Sequence, residues 1–249
     1  MTDQPLGPDG HFDERVASTY DEVPEPMVDG TPVAEAAKVL RDLAAGGRVL
    51  ELAIGTGRVA LPLAGIGVDV TGIELSRAMV ARLTAKRHGS EIPVVIGDMT
   101  STRVEGSFSL VYLVFNTIMN VRTQAGQVEV FRNAGAHLRP GGRFLIECGV
   151  PDLRRLPYGE TAVVFDRTDD HVGVDEYDVA NQGLVSHHFT RRGDRWEYGA
   201  GPFRYAWPAE MDLMAEIAGL RLVHRWHGWD RRPFTSESPH HVSIWEKPA

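Results

Sequence analysis

The stretch VLELAIGTGRVALPLAG, Val49 to Gly65, begins as an apolar strand and carries one acid, Glu51. It breaks at Gly55-Thr56-Gly57 and resumes with the pattern of a helix, RVALPLAG, with Pro62 in its first turns. Glycine reaches torsions closed to other residues and lets a ligand approach the main chain. A strand, a glycine turn and a helix N-terminus in succession make a nucleotide-type site.

Working outward, the same alternation repeats. VDVTGIEL precedes SRAMVARLTAKRHG, where Ser76 is placed to cap a helix. IPVVIGDM and FSLVYLVFNTI read as a third and a fourth strand, TQAGQVEVFRNAGAHL as a helix, and RPGGRFLIECGV as a turn and a fifth strand. Nearly continuous apolar strands alternating with helices predict a Rossmann-like, doubly wound, mostly parallel seven-stranded sheet. Upstream, TPVAEAAKVLRDLAAGG predicts a helix with Thr31 as N-cap, Pro32 as first helical residue and Gly46 as stop. Phe12, Val16 and Tyr20 are spaced for a short helix, Pro24 and Pro26 for an extended link, and residues 1–10 have a disordered composition.

Between Thr161 and Tyr205 the texture changes to period two. TAVVFD, HVGVDEYDV, LVSHHFTRR and RWEYGAGPFRY are separated by turn signals at Thr168-Asp169-Asp170, Asn181-Gln182-Gly183 and Gly193-Asp194. That predicts an antiparallel β insertion after the fifth strand. The α/β pattern then returns with PAEMDLMAEIAG, LRLVHRWHG and HHVSIWEK. The expected organisation is a segment 1–30, an α/β domain over 31–150 and 206–249, and an insertion over 151–205.

The 249 residues carry a net charge of −8 without a Lys/Arg-rich stretch, which argues against a general nucleic-acid binder. The one cysteine, Cys148, excludes an internal disulfide and sits in the apolar run RFLIEC, so a buried structural thiol is expected. Neither a signal pattern nor a membrane-length apolar run is present, and a cytoplasmic protein is the expectation.

Three carboxylates stand in or at the ends of successive strands: Glu51, Glu74 and Asp98. A parallel sheet brings them to one edge, where such sheets bind ligands. Glu74 can accept both hydroxyls of a ribose, Asp98 the amino group of an adenine, and the Met99 amide can donate to a ring nitrogen. Two cofactors compete. Gly55-Thr56-Gly57-Arg58-Val59-Ala60 satisfies the dinucleotide pattern G-x-G-x-x-G/A, and Glu74 suits the ribose of NAD(P). A pyrophosphate, however, would meet Glu51 beside the turn. S-adenosylmethionine has no phosphate and presents a sulfonium and an ammonium, for which that carboxylate is favourable.

Glu51-Leu52-Ala53-Ile54-Gly55-Thr56-Gly57 resembles the E/D-x-G-x-G-x-G motif of class I S-adenosylmethionine-dependent methyltransferases. Glu74, Gly97-Asp98-Met99 and Arg139-Pro140-Gly141-Gly142-Arg143 resemble the family's following motifs in order, and Tyr20-Asp21 resembles the pair in a subgroup whose N-terminal helix closes over the cofactor. The insertion is similar to that of small-molecule members, amino-sugar N-methyltransferases among them. The resemblance implies cofactor contacts from Tyr20, Glu51, Ala53, Gly55, Gly57, Glu74, Leu75, Met79, Asp98, Met99, Phe115 and Asn116. Two positions depart from the pattern. Ala53 replaces a glycine, which is tolerable if its φ is negative, and Ser109 replaces an aspartate in the fourth strand.

On the acceptor side the candidates are His187 and His188 as bases, and Tyr205, Trp207, Trp229 and Arg231 as contacts. Adjacent histidines on a strand point to opposite faces, and no motif has metal-ligand spacing, so no metal is expected. Absence of an outstanding base slightly favours N- over O-methylation of a small molecule. The alternatives are an NAD(P)-dependent oxidoreductase and a non-catalytic S-adenosylmethionine-binding module. Open edge strands in the insertion would also suit a homodimer; neither a nucleic acid nor a membrane is an expected partner.

Overall fold

A computed structural model describes residues 10–22, 27 and 29–249. The compositional reading of residues 1–10 and the link at Pro24 and Pro26 therefore lie almost wholly outside the described residues. In chain order the elements are α1 (Glu14–Thr19), α2 (Val33–Ala44), β1 (Val49–Leu52), α3 (Ala60–Gly65), β2 (Val70–Glu74), α4 (Arg77–Ala85), β3 (Val94–Ile96) and β4 (Phe108–Leu113). There follow α5 (Gln124–His137), β5 (Leu138–Gly149), β6 (Ala162–Arg167), β7 (His171–Asp178), β8 (Gly183–Arg192), β9 (Arg195–Arg204), α6 (Pro208–Ile217), β10 (Arg221–Trp226) and β11 (His240–Glu246).

The large sheet has the order β10-β11-β5-β4-β1-β2-β3. Strands β1 to β5 pair in parallel, while β11 runs antiparallel to both β5 and β10. This is the expected Rossmann-like sheet. One buried apolar cluster, with Leu40, Leu63 and Tyr112, covers the α2/α3 face; another, with Phe131, Met211 and Trp245, covers the α5/α6 face. Strands buried on both sides explain the continuous apolar runs. Cys148 is among the buried residues, and burial pushes its thiol up to about 12.

Helix starts follow local chemistry. Ser76 accepts from the Met79 amide at 3.1 Å, and Thr123 caps α5 in the same way. At α2 the N-cap is Pro32 rather than Thr31, without a side-chain cap bond, and the helix ends on Ala45 in the left-handed region before Gly46. Ser109, in place of the aspartate, is small enough to lie under Gly47, where a Cβ would come within 2.5 Å of its hydroxyl oxygen.

The four-stranded meander β6-β7-β8-β9 forms a second sheet. Arg204, at the end of β9 and 6 % exposed, anchors it. Its guanidinium donates to Glu210 of α6 at 2.7 Å, Gln127 of α5 at 2.5 Å and Gln182 at 3.2 Å.

Candidate active site

The glycine turn after β1 is held from the next strand. Gly55 N donates to Glu74 Oε2 at 2.7 Å, and Ser76 N donates to Glu74 Oε1 at 2.9 Å. One carboxylate thus ties the turn to the start of α4. Gly57 must be glycine: its φ is 75° and a Cβ would fall 2.4 Å from Leu83. Ala53 has a φ of 55°, so the condition under which alanine is tolerated fails. Its methyl is forced into the left-handed region, at a cost of about 1–2 kcal/mol.

Two cavities open on this edge. The first, about 230 Å³, is lined by Glu74, Leu75, Asp98 and Met99, by Phe12 of the N-terminal segment, and by Gly201, Pro202 and Phe203 of β9. The second, about 30 Å³, is lined by Tyr20, Glu51, Gly55, Arg58 and Phe115. Ala53 and Thr117 line both, so the cavities meet at the ends of β1 and β4.

The first cavity is apolar with carboxylates at its edge. Asp98 is exposed, and its Oδ1 accepts from Thr100 N at 2.7 Å, so it is also a turn former. Buried Asn133 of α5 fixes the loop by donating to the carbonyls of Met99 at 2.8 Å and Thr102 at 3.0 Å.

The second cavity is charged. Glu51 is 4 % exposed, and its carboxylate accepts from the Tyr112 hydroxyl at 2.7 Å. Burial raises its pKa to about 8 against that hydrogen bond, with Glu74 adding to the rise. Arg58 lies with its guanidinium carbon 4.5 Å over the Tyr20 ring and 5.5 Å over that of Phe115, and donates to the Tyr20 carbonyl at 2.8 Å. Asp21 clasps the turn, accepting from Thr56 Oγ1 at 2.8 Å and pairing with Lys86 at 2.7 Å.

Beyond β4, Phe115 and Asn116 are both left-handed, with φ of 57° and 58°. Glu147 at the end of β5 holds them: Oε2 accepts from Phe115 N at 3.0 Å, and Oε1 from Trp229 Nε1 at 2.8 Å. Asn116 Oδ1 accepts from Gly149 N at 2.6 Å.

Most of the expected cofactor residues converge here, with three exceptions. Gly57 faces a separate pocket with Asp21 and Lys86, Met79 is buried beneath α1, and Asn116 braces β5; none of the three lines either cavity. On the acceptor side, Trp229 is 3 % exposed and serves Glu147, and Tyr205 is 2 % exposed against Tyr177 and Trp207. Arg231 lies over Trp226 and reaches Asp42 of α2. None of these, nor Trp207, lines a cavity described above. His187 meets Tyr198, and His188 meets His171.

Sequence reasoning passed over Arg58 and Glu147. Arg58 sits inside the glycine pattern itself. Glu147 is a lone acid in an apolar strand, the same signal that marked Glu51. Among the described residues, no group of three or more His, Cys, Asp or Glu side chains is placed to hold a metal ion, and no helix is long and apolar enough to cross a membrane.

The donor set fits S-adenosylmethionine better than a dinucleotide. The Gly55 amide, which a pyrophosphate would need, is taken by a carboxylate. Arg58 offers a positive charge to a carboxylate, Glu51 an acid that ionises beside an ammonium, and the larger apolar cavity has room for an adenosine.

The comparisons with known proteins agree. The model of a family described as "Methyltransferase domain" matches residues 49–142. The CcbJ methyltransferase from Streptomyces caelestis is 37 % identical, with a TM-score of 0.82 over 94 % of this chain and 96 % of that one. The cypemycin N-terminal methyltransferase of Streptomyces sp is 26 % identical over 239 residues, 95 % of this chain and 97 % of its own. The amino pentose methyltransferase CalS10 from Micromonospora echinaspora, solved with S-adenosylmethionine bound, shares the fold at 20 % identity and a TM-score of 0.65, over 86 % of this chain and 89 % of that one. Glycine turn, strand-end carboxylates and full-length likeness lead to one conclusion: the chain belongs to the S-adenosylmethionine-dependent methyltransferases.

Proposed function

We propose that the chain methylates an amino nitrogen of a small molecule. The meeting of the two cavities at Ala53 and Thr117 carries this reading. With adenosine in the larger cavity and the amino-acid end in the smaller, the reactive methyl lies at their junction. Glu74 binds the ribose, while Asp98 and Met99 bind the adenine edge. Glu51 and Arg58 take the ammonium and carboxylate, and Leu75 and Phe115 pack the walls. Tyr20, with Gly10, His11 and Phe12, closes over the site, and the 151–205 insertion roofs the acceptor side with Phe203.

S-adenosylmethionine supplies an electrophilic methyl, so the protein's work is alignment and exclusion of water. The left-handed pair Phe115-Asn116, held by Glu147, turns the chain at the junction and fixes the wall an acceptor would meet. Nitrogen is favoured over oxygen because a neutral amine needs no strong base, and because the relative similar along nearly the whole chain is named an N-terminal methyltransferase.

Calorimetry with S-adenosylmethionine, S-adenosylhomocysteine and NADH tests the cofactor assignment. Binding of the first two without NADH supports it; NADH binding alone overturns it. Methyl transfer from labelled cofactor to paired amine and alcohol acceptors then tests nitrogen against oxygen.

A further inference from the structure

The inner face of the insertion carries a connected row of polar side chains. Asp166 of β6 lies 2.6 Å from His171 Nδ1. His171 Nε2 lies 3.0 Å from His188 Nδ1, and His188 Nε2 lies 3.3 Å from Ser186 Oγ. Ser186 also bonds Asp175, its cross-strand neighbour on β7.

The hydrogen positions follow from the first link. A carboxylate only accepts, so a neutral His171 carries its proton on Nδ1 and offers Nε2 as acceptor. His188 must then donate from Nδ1, which leaves its Nε2 as a lone pair. Ser186 has one proton for two acceptors, His188 Nε2 and the Asp175 carboxylate. The cluster is short of a donor, and an amine supplies one.

The row lies on the face of the meander whose Gly201 and Phe203 line the first cavity. Directly opposed residues share a face of a sheet, and Ser186 opposes both Asp175 and Gly201. A Cβ on Gly201 would meet Phe203 at 3.0 Å and His11 at 3.9 Å, and both of these line that cavity. His188 opposes Gly173 and Gly199, and nothing stands within 4 Å of the place a Gly199 Cβ would take. Gly199 thus leaves the face open beside His188, and the Phe203 ring over Gly201 stands between that opening and the cavity.

We propose that Ser186 and His188, oriented by His171 and Asp166, form the acceptor-amine site and take a proton from the incoming ammonium. This rests on the methyl-transfer reading above. The incoming ammonium first gives a proton through Ser186 Oγ to His188 Nε2, and His171 with Asp166 stabilises the imidazolium. The freed lone pair then forms the N–C bond as the C–S bond breaks with its electrons left on sulfur. Ser186 and His188 are the catalytic residues; His171 and Asp166 are positioning residues. Burial and His171 hold the His188 pKa below its ordinary value, with Asp175 opposing, which favours the neutral ring that accepts a proton. The titratable groups around it are Asp166 from β6, His171 and Asp175 from β7, His187 on the other face of β8, and His11 from the N-terminal segment.

The first test needs no acceptor. Long-range proton–nitrogen NMR of the full chain saturated with S-adenosylhomocysteine should show His171 and His188 both protonated on Nδ1, and Asp166→Asn should shift both rings. A His188 protonated on Nε2, or one indifferent to Asp166→Asn, overturns the relay. The second test assays transfer to D-glucosamine and alanyl-alanine. His188→Gln should lower kcat about a hundredfold near neutral pH and move the acid limb upward towards free-amine ionisation, with S-adenosylhomocysteine affinity kept. Wild-type rates and an unmoved pH profile in His188→Gln overturn the proposal. If neither amine is methylated, the tautomer measurement decides. Failure of the wild type to bind S-adenosylhomocysteine would instead sink the methyl-transfer reading.

Discussion

At the edge of the seven-stranded sheet, polar side chains answer the backbone: Glu74 takes the amides of Gly55 and Ser76, and Glu147 takes that of Phe115. On the four-stranded sheet, Asp166, His171 and His188 answer one another. A carboxylate bonded to main chain is set by the fold and stays in place whether or not a ligand is bound. A side-chain relay on a half-exposed sheet is set by rotamers and protonation, so pH and a partner's hydrogens can redirect it. The first arrangement suits a constant cofactor, and the second suits chemistry on an acceptor.

The comparison breaks most directly at the joint between the sheets. Arg204→Ala leaves the half-buried Glu210 carboxylate without its guanidinium, and breaking a buried pair in this way costs about 3–5 kcal/mol. If the sheets are functionally separate, the loss should fall on the insertion. Hydrogen exchange should rise across β6–β9 while β1–β5 stay protected. Uniform loss of protection would mean that the two sheets unfold as one.

Glu51 sharpens the cofactor side. Its pKa is raised from 4.5 to about 8 in the fold, so its contribution to stability is complete below pH 4.5 and is lost as pH rises towards 8. Glu51→Gln keeps an acceptor for Tyr112 and has no proton to lose. Without cofactor, the variant should gain stability over the wild type between pH 5 and pH 8, by an amount on the order of a few kcal/mol. Thermal melts at the two pH values check this; an equal gap at both would mean that Glu51 is already ionised. S-adenosylhomocysteine, which keeps the ammonium, should bind the wild type at pH 7 with proton release and Glu51→Gln more weakly without it. Calorimetry in buffers of different ionisation enthalpy reads the difference.

Glu74→Ala removes two amide partners as well as the ribose acceptor. Affinity for S-adenosylhomocysteine should fall at least about tenfold, the scale of a charged hydrogen bond. Unchanged affinity would leave Glu74 a purely structural brace for the turn.

The two regions also differ in how much the sequence discloses. Glu51, the glycine turn, Glu74 and Asp98 are legible because each acts within a few residues of its strand end, and the parallel sheet aligns those ends automatically. The meander's strands are legible from their alternation and turn residues. Its relay is not, because Asp166 and His171 stand across a turn, and His188 joins them only through the β7–β8 register, which pairs it with Gly173. Trp229 misleads for the same reason. An aromatic in a polar loop resembles a ligand contact until the fold places its indole against Glu147.

Ala53 gives the smallest and most local test. It holds a φ of 55° with a Cβ, at the point where the two cavities meet. Glycine there relieves about 1–2 kcal/mol of strain but restores backbone freedom to the unfolded chain, at a cost of roughly 0.4–1 kcal/mol. Ala53→Gly should therefore stabilise the cofactor-free protein by about 1 kcal/mol or less, measurable by denaturant titration. Ala53 lines both cavities, so removing its methyl should leave S-adenosylhomocysteine affinity within about twofold and widen the range of amines accepted. If Ala53→Gly instead destabilises the chain, the turn is relaxed in solution and the positive φ is not one the sequence has to sustain.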